Sequence, residues 1–222
     1  MSKHQNALSR LFRKIIGRPK VVFTDSGSYW EQRYVSKRNS GAGSYGRLAA
    51  FKAEVLNQFV AENNIGTVIE FGCGDGNQLT LAEYPSYVGV DVSPEAVKLC
   101  SQLFNMDESK EFFVVGERDD LKGDLTLSLD VIYHLVEDAV YERYMQDLFQ
   151  SSTRYVIVYA SNKEDDNALG APHVRHRRFT DWVSQNAKSF KFVQKIENKF
   201  PFDKNDSKNT SFADFYFFER EA

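Results

Sequence analysis

Cysteine occurs only twice in 222 residues, at Cys73 and Cys100. Two thiols cannot build a disulfide framework or a thiolate zinc site, and their scarcity fits a reducing compartment. No apolar run approaches the ~20 residues that a membrane-spanning helix requires. The N-terminus has neither the unbroken apolar stretch nor the small-residue cleavage site of a secretory signal, so a soluble, cytoplasmic protein is expected. Acid is absent from residues 1–24, which hold six basic side chains, and the remaining 198 residues carry 22 Lys plus Arg against 31 Asp plus Glu, a formal −9. An acidic body argues against broad, phosphate-driven binding to nucleic acid, and no DNA partner is expected.

What is present is apolar and aromatic. A chain that is 42% hydrophobic and 14% aromatic is not disordered, and its length suits one domain of two or three layers. The charge break divides the chain into a basic arm, residues 1–24, and a single domain, residues 25–222. Within the arm, Leu8, Leu11, Phe12, Ile15 and Ile16 recur at helical spacing opposite Arg10, Arg13 and Lys14. Three readings stay open for it: a membrane-surface or partner-binding helix, a targeting peptide, or a loosely packed arm.

The body alternates short apolar runs with amphipathic ones. Strands are expected at 67–71, 87–90, 112–115, 125–129 and 155–159. Helices are expected at 47–63, 78–83, 94–104 and 141–150, with one more around Trp182. This alternation predicts a Rossmann-like α/β fold with a mostly parallel seven-stranded sheet and helices on both faces. The last two runs, 190–197 and 211–220, are joined by a polar loop too short for a crossover helix. They predict a C-terminal antiparallel pair.

Glycines alternate at the end of the first strand, in Glu70-Phe71-Gly72-Cys73-Gly74-Asp75-Gly76. Such a turn lets the backbone approach a ligand, but the spacing is not that of a dinucleotide fingerprint. An acid where a pyrophosphate would lie favours a ligand with a cationic portion. Asp91, ending the second strand about 20 residues on, suits the two hydroxyls of a ribose.

At these residues the chain resembles the class I S-adenosylmethionine (SAM)-dependent methyltransferases. The resemblance implies SAM as cofactor and S-adenosylhomocysteine (SAH) as product. It implies that Glu70, Gly72, Cys73 and Gly74 lie along the methionine portion, that Asp91 holds the ribose and that Val92 packs on the adenine. Two further stretches, Tyr29-Trp30-Glu31-Gln32-Arg33-Tyr34 with residues 39–47, and residues 130–138, resemble a bacterial group within that superfamily often found beside or fused to sugar-transferring enzymes. Read from the residues alone, 39–47 is a Gly-Ser-rich loop hinged on aromatics, a lid or a surface turn. Tyr29, Trp30, Arg33 and Asp130 are therefore expected on the cofactor side, and Tyr45 on the acceptor side.

For a hydroxyl acceptor a base is needed, and His134, just past the fourth strand, is the candidate, with Tyr133 beside it. The basic run His173-Val174-Arg175-His176-Arg177-Arg178 suits an anionic acceptor, contacted by His173, Arg175, His176 or Arg177. No carboxylate accompanies the two histidines in a metal-binding pattern, and no metal is expected. The expectation is an O-methyltransferase of a small or carbohydrate-derived acceptor. The alternatives are a catalytically silent SAM-binding regulatory or scaffold protein, and a methyltransferase of protein side chains.

Overall fold

The computed structural model describes residues 22–164 and 170–221. The helical run expected in the arm at 7–16 lies outside the described residues. Seven strands form one sheet in the order β3-β2-β1-β4-β5-β7-β6. They are β1 (Thr67–Phe71), β2 (Ser86–Asp91), β3 (Lys110–Val114), β4 (Gly123–Leu129), β5 (Ser152–Ala160), β6 (Phe190–Ile196) and β7 (Asp214–Arg220). The pairings from β3 through β5 are parallel, whereas β7 runs antiparallel to both β5 and β6. This is the mostly parallel sheet with an antiparallel end that the sequence predicts.

Five α-helices are described: α1 (Ser26–Val35), α2 (Gly46–Glu62), α3 (Pro94–Leu103), α4 (Asp138–Gln150) and α5 (Phe179–Asn186). The sheet separates two apolar cores. On one face Phe51, Leu56 and Val60 of α2 and Cys100 of α3 pack on Leu125, Leu127, Ile157 and Phe215. On the other, Met145, Leu148 and Phe149 of α4 and Trp182 and Val183 of α5 pack on Ile69, Val88, Val156 and Val158. The alternation in β4 explains how one strand serves both. Leu125, Leu127 and Leu129 face the first core, while Thr126 Oγ1 donates to the Leu148 carbonyl and Ser128 Oγ accepts from the Tyr144 hydroxyl, so the polar positions are satisfied by α4.

Two expectations are corrected. The helix expected at 78–83 is a single 3-10 turn, Gln78–Leu81. Gly76 before it holds φ +76°, and a Cβ there would lie 3.1 Å from Cys100 Sγ and from the Phe104 ring, so the chain re-enters tightly against α3. Helix α4 starts three residues earlier than its apolar periodicity suggests, because Asp138 in its first turn suits the positive helix end. Residues 115–122 link β3 to β4 without a helix. No described helix is long and apolar enough to cross a membrane.

Leu127 is fully buried in the central strand, whereas Val193 is 52% exposed on the edge strand. Leu127→Ala is expected to cost about 2–5 kcal/mol in urea denaturation, and Val193→Ala less than about 0.5 kcal/mol.

Candidate active site

The C-terminal ends of β1, β2 and β4 open into a cavity of about 510 Å³, a size that suits a nucleoside-sized ligand. Its floor is the glycine turn. Gly72 and Gly74 hold φ +85° and +61°, and a Cβ on Gly72 would meet Val131 Cγ2 at 2.5 Å. The turn is bare because a side chain has no room there, and its backbone is presented to the cavity.

Asp91 pins this turn in place. Its carboxylate accepts from the Gly74 N–H and the Ser93 N–H, each at 2.9 Å, and is 6% exposed. Burial pushes its pKa up to about 6, against the pull of those two N–H groups. Ser93 caps α3 by accepting from Ala96 N–H at 3.1 Å, with Pro94 at the first helical position. Glu70, at 4% exposure, accepts from the Tyr87 hydroxyl at 2.8 Å, and burial raises its pKa to about 7. Two desolvated carboxyls thus lie under one turn, a cost that a cationic, hydroxyl-bearing ligand relieves.

Asp75, read from sequence as part of the ligand's electrostatics, fastens the 39–46 loop instead. Its Oδ2 accepts from Ser40 N–H at 2.9 Å and from the Tyr45 hydroxyl at 2.8 Å, while its own N–H donates to Ser40 Oγ at 2.9 Å. Asn77 Nδ2 adds a bond to the Ser44 carbonyl at 2.6 Å. The loop therefore closes over the glycine turn as a roof. Arg33 holds its stem through Nε to the Asn39 carbonyl at 2.6 Å and lies 5.4 Å from the Trp30 ring centre.

Beneath that roof is Asp130, in the left-handed region at φ +61°. Its Oδ2 accepts from Lys52 Nζ at 2.8 Å and its Oδ1 from the Tyr133 hydroxyl at 2.8 Å. A Cβ on Gly43 would come within 2.5 Å of Oδ2, so the roof rests directly on this group. Lys52 is fully buried and borders the cavity. Its place in an amphipathic helix gives no sequence signal of this, because the partner lies 78 residues away.

His134 borders the cavity at its other wall. Its Nδ1 lies 2.9 Å from the His173 carbonyl, which can only accept, so Nδ1 carries the proton and Nε2 is left as an acceptor. Trp30 meets the ring edge-on at 4.9 Å, and His173 lies parallel to it at 5.6 Å with Tyr29 stacked on its far side at 4.6 Å. Burial lowers the His134 pKa to about 4, and the Arg33 charge adds to that. The His173 pKa is lowered by the same two causes.

Of the residues expected at the site, Trp30, Glu70, Gly72, Cys73, Gly74, Asp91, Val92, Asp130 and His134 border this cavity. Tyr29, Arg33, Tyr45, Tyr133, His173, Arg175, His176 and Arg177 do not. Tyr133 is buried against Phe212 at 5.0 Å. His176 is buried with Nδ1 2.7 Å from Ser161 Oγ. Arg177 donates to the carbonyls of Leu135 and Val136 and pairs with Asp138 at 3.0 Å, and Arg175 joins it on Val136 and Asp138, each at 2.9 Å. The basic run clamps residues 135–138. Lys52, Tyr34, Ser40 and Gln78, not singled out by sequence, also border the cavity.

No protein-family profile matches the chain. In an alignment of 139 residues that covers 55% of this chain, it is 26% identical to the small RNA 2′-O-methyltransferase of Arabidopsis thaliana, and it spans about 15% of that protein's length. Among solved structures, magnesium protoporphyrin IX methyltransferase of Synechocystis PCC 6803 with bound SAM superposes with TM-score 0.64 at 13% identity, covering 91% of this chain and all of that one. The methyltransferase domain of a bacterial Hen1, CtHen1-C, does so with TM-score 0.57 at 21% identity, covering 77% of this chain and 97% of that one. The chain shares the class I fold of SAM-dependent methyltransferases.

The raised Glu70 pKa has a stability consequence. A carboxyl raised on folding contributes stability that is full below its unfolded pKa near ~4.3 and is lost as pH rises through about 7. Glu70→Gln keeps an acceptor for Tyr87 without the charge. Its stability relative to wild type is expected to improve from pH 5 to about pH 7 and to level off above that, read as melting temperature against pH; a difference independent of pH would contradict this.

Proposed function

We propose that the chain binds SAM in this cavity and methylates a hydroxyl of a small or carbohydrate-derived acceptor. The observation that carries the reading is the pair of desolvated carboxyls, Glu70 and Asp91, under a glycine turn that leaves its backbone open to the cavity. Asp91 would accept from the ribose hydroxyls, and Val92 and Val115 offer apolar surface for the adenine. When bound, SAM supplies a methyl group on a positively charged sulfur with a good leaving group. What the chain must add is alignment, exclusion of water and a place for the proton.

The roof of residues 39–46, fastened by Asp75, excludes water. His134 Nε2 takes the acceptor's hydroxyl proton as its oxygen gains the methyl group, and Nδ1–H to the His173 carbonyl holds the ring in the required tautomer. With its pKa lowered by burial, His134 rests neutral throughout the physiological range. The resemblance of residues 29–47 and 130–138 to the bacterial group linked with sugar transfer supports a carbohydrate-derived acceptor. Two buried free thiols support a cytoplasmic setting.

A second reading, methylation of a ribose 2′-oxygen in RNA, is favoured by the likeness to the Arabidopsis enzyme. The acidic body weighs against it. Methyl-tritiated SAM with a cell extract, and separately with small RNA, distinguishes the two: label in small metabolites supports the first, and label in RNA alone overturns it. With the labelled acceptor in hand, His134→Ala is expected to lower turnover by about 10²–10⁴-fold with SAM affinity unchanged. The wild-type acid limb should fall near pH 4, where the His134 value lies. A limb near ~6.5, the ordinary histidine value, or unimpaired turnover of the variant, removes His134 from the role.

A further inference from the structure

Gln78 carries an orphaned atom. Its Nε2 donates to the Ala49 carbonyl at 3.1 Å, yet its Oε1 is buried without a hydrogen-bond partner. The residue is 9% exposed and borders the principal cavity. A buried carbonyl oxygen lacking a donor is uncommon, because the lost hydration goes uncompensated. A donor supplied by a ligand is the natural complement.

Lys52 borders the same cavity and is the only fully buried cation among the described residues. One of its three protons goes to Asp130 at 2.8 Å, and its ammonium lies 5.3 Å from the Tyr159 ring centre. Its remaining donors have no hydrogen-bond acceptor among the described residues. Ser40 and Ser44 of the roof border the cavity too. Lys52 stands on α2 and Gln78 on the 3-10 turn that follows the glycine turn. A buried cation with donors to spare and a buried carbonyl in need of a donor, bordering one cavity, complement a zwitterion whose anion and cation are separated by a single carbon.

We propose that Lys52 and Gln78 form a receptor for an α-amino-acid terminus, that of the methionine portion of SAM: the Lys52 ammonium takes the carboxylate and Gln78 Oε1 accepts from the α-ammonium. This rests on the SAM reading given above and specifies how that end of the ligand is recognised.

The test uses binding alone. SAM and SAH carry the amino-acid terminus, whereas 5′-methylthioadenosine keeps the adenine, the ribose and a thioether but lacks it. In calorimetric titration of the full chain, Lys52→Met is expected to weaken SAH by about ten- to a hundredfold while changing methylthioadenosine affinity less than about twofold. Gln78→Leu is expected to weaken SAH by roughly three- to tenfold with the same selectivity. Because Lys52→Met strands the Asp130 carboxylate, Lys52→Met with Asp130→Asn gives a neutral pair that keeps the fold, and retained methylthioadenosine binding certifies the cavity. An equal loss for both ligands, or unchanged SAH affinity, overturns the proposal while leaving the SAM site in place. A wild-type chain that binds neither SAH nor methylthioadenosine overturns the SAM reading and this proposal with it.

Discussion

Asp91 holds the site together from beneath. Its carboxylate is anchored by the N–H groups of Gly74 and Ser93, so one buried side chain fixes the glycine turn to the end of β2 and to the start of α3. In that position the group is desolvated without a cationic partner, and its pKa rises to about 6. Glu70, one strand over, is raised further, to about 7, by its burial, against the pull of the Tyr87 hydroxyl and the Lys52 charge. Two ionisable acids under a bare turn are a liability in the free protein, and their placement becomes intelligible when a ligand brings hydroxyls and positive charge to them.

The rest of the cavity follows from that anchored turn. Asp75, next along the chain, turns away from the floor to tie down the 39–46 roof through Ser40 and Tyr45. The roof in turn presses Gly43 against Asp130, whose carboxylate is shared between Lys52 and Tyr133. Floor and roof are thereby joined by the hydrogen bonds of Asp75, and the roof meets the end of β4 where Gly43 packs on Asp130. The far wall is built differently. A ladder of rings, Tyr29, His173, His134 and Trp30, keeps His134 dry, neutral and in a single tautomer.

The sheet was legible in the sequence because its inner strands are short, nearly continuous apolar runs, and the glycine turn because three glycines and two flanking acids stand at strand ends. Lys52 was not legible. A lysine in an amphipathic helix reads as a solvent-facing residue, and only the fold brings Asp130 to it. The roles of the charged residues were harder still. Asp75 reads as a neighbour of the ligand and works as a latch, while Arg175 and Arg177 read as anion receptors and are found holding carbonyls of residues 135 and 136. A side chain's charge is plain in sequence, but its hydrogen-bond partner depends on distant segments.

We propose that the two raised carboxyls, Glu70 and Asp91, receive a ribose-bearing sulfonium. Titrating SAM into the protein near pH 6.5, in buffers of different ionisation enthalpy, reads the protons exchanged on binding. Because the ligand favours the ionised acids, one site is expected, with net proton release that shrinks toward pH 8.5 and disappears in the paired variant Glu70→Gln with Asp91→Asn. Absence of binding, or binding with no proton release at pH 6.5, would contradict it.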